Sequence, residues 1–308
     1  MALNPNPLID NKAHVDVREL RVLSYNVGLL SFKLCGCCEV FANPPYKNQR
    51  MPYILKNFSD MAPDLDIICI QECYDDRDAD CIYDSVKGYL PFMARGGTQG
   101  QNCLQFHNGL AIFSRFAISN VRIDKLKDVA SLERYLASKA NLVCDVTVPG
   151  AGIYTIVAMH TTAGGATHPE HGDVDVDRES ELIQAWERCE QSLTEGNQAI
   201  ILGDLNCGPE ASAANYNFIL NKGFRDTYLE APSPVSPAFT WDPANYLNKI
   251  GPHAECPGQR CDHLLVHETA PWKVKHVKVV FTEEVVPVTG KIMSTMSDHY
   301  GLLVHLTK

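Results

Sequence analysis

Nine short apolar runs, rich in β-branched residues and each closed by a polar or charged residue, constrain this chain more than any other feature. They are Leu20 to Tyr25, Ile67 to Ile70, Gly109 to Phe113, Leu142 to Val148, Ile153 to Met159, Ala199 to Leu202, His263 to Val266, Val274 to Phe281 and Leu302 to Leu306. Runs this short and this apolar read as buried strands, and their number predicts two sheets. Helical patterns lie between them. Leu182, Trp186, Cys189 and Leu193 recur at spacings of four, three and four, which places them on one face of a helix running from about Asp177. Two more helices are expected, from about Asn48 to Met61 and after Pro209, a residue suited to a first helical turn. Strands and helices alternate without a repeat or a low-complexity linker. A single α/β domain over residues 20–308, preceded by an extension over residues 1–19, therefore explains the order better than two domains. The stretch from Ala231 to Pro257 carries many of the prolines and is expected as a surface loop, because proline removes ladder donors from a central strand.

Composition narrows the function classes. A hydrophobic fraction of 45% over 308 residues supplies a large core. No apolar run approaches the roughly 18 residues of a membrane span, so no transmembrane segment is expected. The N-terminus lacks a basic start and an apolar signal core, and the twelve cysteines then read as reduced thiols rather than a disulfide framework. The expected location is cytoplasmic or peripheral to a membrane, with a secreted, disulfide-bonded form as the alternative. Cys35, Cys37 and Cys38 cluster tightly, but no second cysteine pair at finger spacing and no nearby histidine completes a zinc site. The net charge of -10 argues against a protein that coats nucleic acid, and Lys273, Lys275 and Lys278 on one strand are the main concentration of basic residues. A nuclease is not excluded, since a metal-binding carboxylate cluster makes a chain acidic whatever its substrate. The acidic stretch from His168 to Asp177 fails the EF-hand pattern, with Arg178 at the glycine position and Gln184 at the terminal glutamate position. It reads as a solvated loop whose Asp175 and Asp177 suit a helix N-terminus.

The chemistry-bearing residues stand where the strands end. Asn26 ends the first run, Glu72 follows the second, His160 the fifth and Gly203-Asp204-Leu205-Asn206 the sixth, while Ser297-Asp298-His299 precedes the last. If the strands pack as two sheets, these ends converge on one rim, where α/β folds place ligand crevices. Magnesium prefers oxygen donors and takes one or two carboxylates, so Glu72 with Asn26 or Asp298 suffices to hold it. His299 is the candidate base. Plainer readings stand beside these: Asn26 as a turn former, His160 as a structural histidine, Trp241 as a core or loop anchor.

Five segments, Ser24-Tyr25-Asn26, Ile70-Gln71-Glu72, Gly203-Asp204-Leu205-Asn206, Arg260-Cys261-Asp262 and Ser297-Asp298-His299-Tyr300, resemble the ordered motifs of the endonuclease/exonuclease/phosphatase superfamily. The match runs from Leu20 to the C-terminus. The resemblance implies a DNase I-like fold, a four-layer α/β sandwich of two packed mixed sheets flanked by helices, and a Mg-dependent phosphoric ester hydrolase using one or two ions. It implies that Glu72 and Asn26 hold the metal, and that Asp204 and Asn206 position the water and the phosphate. Asp262 would orient His299 as base, His160 would stabilise or protonate the leaving oxygen, and Asp298 would act as a second metal contact or an orienting group.

Within the superfamily, Thr240-Trp241-Asp242-Pro243-Ala244-Asn245 and the run from Pro257 to Val266 are similar to segments of the neutral sphingomyelinases. The implied reaction releases phosphocholine and ceramide from sphingomyelin at a membrane surface. Trp241 would hold the cationic head group by cation–π attraction, and Asn206 and Asn108 are expected to complete the substrate contacts. Two departures stand out: Thr161-Thr162-Ala163-Gly164-Gly165 follows His160, where sphingomyelinases continue Leu-Gln-Ala, and His263 replaces a tyrosine. The apolar stretch from Leu29 to Tyr46 either dips into a lipid interface or packs on the domain. A nuclease, or an inositol or sugar phosphate phosphatase on the same fold, is the alternative, and a non-catalytic binding module is the third class.

Overall fold

In the computed structural model, residues 17–34, 38–97, 107–127, 138–164 and 174–308 are described. Residues 1–16, Cys35, Cys37 and residues 168–173 of the acidic stretch lie outside them. In chain order the strands are β1 (Glu19–Asn26), β2 (Leu30–Leu34), β3 (Cys38–Asn43), β4 (Ile67–Gln71), β5 (Phe92–Arg95), β6 (Ala111–Ser114), β7 (Ile118–Lys125) and β8 (Ala140–Val148). They continue as β9 (Gly152–His160), β10 (Gln198–Asp204), β11 (Phe224–Asp226), β12 (Asp262–His267), β13 (Lys273–Val280), β14 (Val286–Thr289), β15 (Ile292–Ser294) and β16 (Gly301–Thr307). The helices are α1 (Lys47–Met61), α2 (Asp76–Val86), α3 (Asp175–Thr194), α4 (Ala213–Leu220) and the one-turn α5 (Tyr246–Lys249).

Two six-stranded sheets form, ordered β13-β16-β1-β4-β6-β5 and β11-β12-β10-β9-β8-β7. Each has a single parallel pair at its centre, β1 with β4 and β9 with β10, flanked on both sides by antiparallel neighbours. The C-terminal tips of the parallel pairs therefore lie beside the N-terminal ends of β12 and β16. Side-chain alternation sorts each strand between two cores. Leu20 and Val22, Ile67 and Cys69, Ile156 and Ala158, Ile200 and Leu202, and Leu264 and Val266 point between the sheets. Leu23, Tyr25, Ile68 and Ile70 pack against α1 and α2, while Val157, Met159, Ala199 and Ile201 pack against α3 and α4. The result is four layers, helix–sheet–sheet–helix. Each fully buried valine, leucine or isoleucine among these side chains contributes about 1.5–3 kcal/mol relative to exposure.

All nine expected strands form, within two residues of their expected ends. The edge strands β5, β7 and β11 and the β2–β3 and β14–β15 hairpins carry no continuous apolar run, and were not foreseen. Residues 29–46, expected as an apolar loop, are mostly the β2–β3 hairpin, with Phe41 exposed and Leu29 fully buried. The expected helix from Asn48 is α1, and that from about Asp177 is α3. Pro209 does not start the third helix, which begins at Ala213 after Ser212 in a left-handed conformation. The N-terminal boundary is earlier than expected, since the Val17 amide donates to the Pro149 carbonyl and β1 begins at Glu19.

The proline-rich stretch is corrected as well. Thr240, Asn245, Leu247 and Asn248 are buried rather than on the surface. Burial is tolerated because the polar groups find partners. Asn245 Nδ2 donates to the Ser297 carbonyl at 2.9 Å, and Asn248 Nδ2 donates to the Asp298 carbonyl at 2.9 Å. Cys69, Cys73, Cys144, Cys189, Cys207 and Cys261 are buried as free thiols. No helix among the described residues is long and apolar enough to cross a membrane.

Candidate active site

Strand parity builds the site. Two residues beyond each inward-facing apolar side chain, at the last inward position of its strand, stand Gln71, His160 and Asp204, and Asn26 follows the buried inward Ser24. The register sets Asp204 opposite both His160 on β9 and Asp262 on β12, where side chains on one face approach closely. Across the sandwich, Asn26 Nδ2 donates to Asp204 Oδ2 at 3.0 Å and to Glu72 Oε1 at 2.9 Å, while its Oδ1 accepts from the Gly28 amide at 3.0 Å. The distant strand tips thus meet through one amide.

Two backbone departures shape this rim. Gly203 has φ +133, and a Cβ there would lie 2.0 Å from the Met159 carbonyl oxygen, so only glycine lets β10 lie against β9 one residue before Asp204. We expect Gly203→Ala to destabilise the protein by at least about 1–3 kcal/mol from backbone strain alone, read as a lowered midpoint in urea with an unchanged slope. Glu72 has φ 58, a left-handed conformation uncommon for glutamate. Its amide neighbours hold it there: the Glu72 carbonyl accepts from the Leu29 amide and the Cys73 amide donates to the Gly109 carbonyl.

Two imidazoles flank Asp204. His299 Nε2 lies 3.6 Å from Asp204 Oδ2, and its Nδ1 lies 2.9 Å from Asp262 Oδ2. His160 Nε2 lies 3.8 Å from the same Asp204 oxygen and 3.7 Å from Glu72 Oε1, with Tyr74 Oη 3.5 Å from Nδ1. Their surroundings push the rings in opposite directions. Burial drives the His160 pKa well below the usual histidine value, aided by the charges of Lys139 and His299. Burial acts the same way on His299, but Asp262 and Asp204 outweigh it and raise that ring well above the usual value. The two rings beside one carboxylate thus differ in the direction of their proton affinity, a setting suited to proton transfer.

The stretch that sequence reasoning treated as a loop positions His299. Thr240 Oγ1 accepts from the Cys261 and Asp262 amides, and the Tyr300 amide donates to the Thr240 carbonyl at 2.7 Å. Thr240, Asn245 and Asn248 therefore pin the segments that carry Asp262 and His299. Thr240 and Asn245 stood out only within the segment similar to the neutral sphingomyelinases, and the positioning role of Thr240, Asn245 and Asn248 was not read from the sequence. Asn206 takes a left-handed conformation, its amide donating to Asp204 Oδ1 at 3.0 Å and its Nδ2 to the Thr161 carbonyl at 3.1 Å. Asn108 is buried, donating to the Ala140 carbonyl and accepting from the Leu110 amide, which makes it a brace between β6 and β8. Trp241 and Asp298 line a shallow cleft with Asn248 and His253, next to the rim.

The donors fit a hard divalent cation. Ligand atoms of Glu72, His160 and Asp204 lie within 4.8 Å of one another. Burial, followed by the charge of Asp298, pushes the Glu72 carboxyl up to about 7; burial and Asp262 raise Asp204 as well. Crowded carboxylates of raised pKa, rich in oxygen, are what such a cation relieves. The sign for stability follows. A carboxyl that binds its proton more tightly in the folded state contributes stability below its unfolded value near 4.5, and that contribution is lost as pH rises through about 7. Metal-free protein should therefore lose this contribution between pH 5 and 7.5, and saturating divalent metal should restore more stability at pH 7.5 than at pH 5. Denaturant melts with and without metal at both pH values check this, and equal metal effects would contradict it.

A model of the Endonuclease/Exonuclease/phosphatase family matches residues 23–299. No curated protein sequence matches the chain significantly. Among solved structures, a sphingomyelinase C from Streptomyces griseocarneus superposes with a TM-score of 0.71 at 18% identity, covering 94% of this chain and 99% of that one. A beta toxin from Staphylococcus aureus, solved with bound magnesium ions, gives 0.70 at 19% identity over 94% and 100% of the two chains. TDP2 from C. elegans gives 0.66 at 17% identity over 94% and 75%. Identities this low establish the shared fold.

Proposed function

Because the chain belongs to the endonuclease/exonuclease/phosphatase family, we propose that it is a magnesium-dependent phosphodiesterase that hydrolyses sphingomyelin to ceramide and phosphocholine at a membrane surface. The observation that carries this reading is Asp204 seated between the His160 and His299 imidazoles, with Glu72 and Asp298 at the same rim. The sphingomyelinase among the structural neighbours supports the lipid substrate. So does the cleft beside the rim, where the Trp241 ring and the Asp298 carboxylate suit a quaternary ammonium.

Glu72 and Asp298 would hold the ion, and Asn26, expected from the sequence as a ligand, instead turns its Nδ2 to Glu72 and Asp204 and its Oδ1 to the Gly28 amide, so it orients the carboxylates. When bound, magnesium supplies positive charge that offsets the crowded carboxylates, frees His299 to exist as neutral base, and polarises the phosphoryl oxygens. His299, fixed by Asp262, takes a proton from water as the water oxygen attacks phosphorus. Asp204 orients that water, and the remaining Nδ2 hydrogen of Asn206 faces the phosphoryl group. His160, with Tyr74 at Nδ1, hydrogen-bonds the ceramide oxygen through Nε2–H as its bond to phosphorus breaks, and that oxygen takes its proton from solvent.

The test is a panel of sphingomyelin in mixed micelles, plasmid DNA, RNA and inositol phosphates, each with and without magnesium. Magnesium-dependent phosphocholine release is expected. Degradation of nucleic acid or release of inorganic phosphate without phosphocholine would refute the lipid substrate and leave the nuclease or phosphatase reading.

A further inference from the structure

One side chain at the site has no part in hydrolysis. Cys261, the residue before Asp262, is 4% exposed and directs its sulfur at the catalytic pair. Its Sγ lies 3.9 Å from His299 Nδ1 and 3.6 Å from Asp262 Oδ2, and those two atoms are 2.9 Å apart. One ligand atom from each of Asp204, Cys261 and His299 lies within 4.8 Å of the other two. A tetrahedral zinc ion, with bonds of about 2.3 Å to sulfur and about 2.0–2.1 Å to nitrogen and oxygen, has S···N and S···O edges of roughly 3.5 Å and N···O edges of roughly 3.3 Å. Three edges are already within about half an ångström of those lengths. A second observation points the same way: Asp262 Oδ1 is buried and makes no hydrogen bond among the described residues, so this carboxylate has unspent capacity.

We propose that Cys261, Asp262, His299 and Asp204 form a site for a thiophilic divalent cation of the zinc class, and that filling it stops hydrolysis. The donor set selects the ion. Magnesium demands oxygen ligands and six-fold geometry, whereas a sulfur, a nitrogen and two carboxylate oxygens match a softer tetrahedral ion. Binding breaks the Cys261 S–H bond, forms a sulfur–metal bond and releases one proton to solvent. Burial holds that thiol protonated in the metal-free protein, so occupancy weakens as pH falls. The bound ion would take His299 Nδ1 away from Asp262 and draw Asp204 off the water. The site would thus exclude catalysis even with magnesium present. Binding is independent of the proposed function; only the inhibition rests on it.

The experiment titrates zinc alone into the full-length reduced chain against a chromophoric chelator, comparing wild type, Cys261→Ala and His299→Ala. Circular dichroism confirms that each variant is folded. Wild type should bind one equivalent more than either variant, or bind it on the order of 100-fold more tightly, since losing one ligand costs at least what losing an outer partner does. Comparing variants separates this site from adventitious zinc on the other cysteines. Equal stoichiometry and affinity in all three proteins would overturn the proposal. A parallel turnover assay at saturating magnesium, each protein normalised to its own zinc-free rate, should show wild type inhibited by zinc and Cys261→Ala resistant; equal fractional inhibition of both would overturn it too. If zinc binds as expected while sphingomyelin is never cleaved, the metal site stands and the proposed substrate falls.

Discussion

His299→Ala is expected to lower kcat for magnesium-dependent phosphodiester hydrolysis on the order of 10³- to 10⁴-fold, with little change in KM. The loss is that of a positioned base acting as a unit with its carboxylate partner. Asp262 makes the 2.9 Å contact to Nδ1 and is fully buried, so it fixes which nitrogen faces the water. Asp262→Asn should therefore cost on the order of 10²-fold or more, and the double variant should be hardly worse than His299→Ala, because groups that work together are not additive. Steady-state kinetics on the three variants, with thermal melts to confirm folding, gives the answer. A loss below tenfold in folded His299→Ala would remove this residue from the chemistry.

The second large effect lies at Arg50, which is fully buried at the start of the helical layer. A guanidinium has five N–H donors, and here all five meet backbone carbonyls. Nε donates to Pro45 at 2.9 Å, one terminal nitrogen to Val27 at 3.1 Å and Met296 at 2.7 Å, and the other to Pro44 at 3.1 Å and to Gly28. Val27 and Gly28 enter the β2–β3 hairpin, Pro44 and Pro45 leave it, and Met296 precedes the Ser297–His299 segment. One side chain thus ties both feet of the hairpin to the segment bearing Asp298 and His299. Its charge also faces Asp298 and Glu72, which counter the lowering of its pKa by burial. Arg50→Met leaves carbonyls without donors and the acids without a counter-charge. Each lost bond from a charged donor is worth about 1.5–3 kcal/mol, though not additively. A destabilisation of at least about 4 kcal/mol is expected, near the whole stability of many domains. Arg50→Lys, which keeps the charge and loses the planar fork, should fold with a smaller penalty and weaker magnesium binding. Denaturant melts on both variants and calorimetric magnesium titration of Arg50→Lys test this. Wild-type stability in Arg50→Met would show that the clamp contributes nothing.

Much of the fold was legible because the strongest signals are local. Each central strand is an unbroken apolar run, buried on both faces, and such runs announce themselves whatever surrounds them. Edge strands such as β7, where Val121, Arg122 and Ile123 are all exposed, lose that signature because neither face has to be fully apolar. The stretch around Thr240 to Asn248 was misplaced for the reverse reason. Its polar residues look like surface, and distant partners at residues 261–262 and 295–298, together with local bonds, offset their burial.

By itself, the sequence determined which residues end the central strands and, through two-residue alternation, that His160 and Asp204 share a face with the apolar residues before them. It could not determine what they meet. Whether Asn26 touches Asp204, 178 positions away, depends on two sheets stacking face to face. The opposite pKa shifts of His160 and His299 and the raised carboxyl of Glu72 arise from burial and from charges on other segments. Those are fields of a packed interior, summed over neighbours that only the tertiary fold brings within a few ångströms.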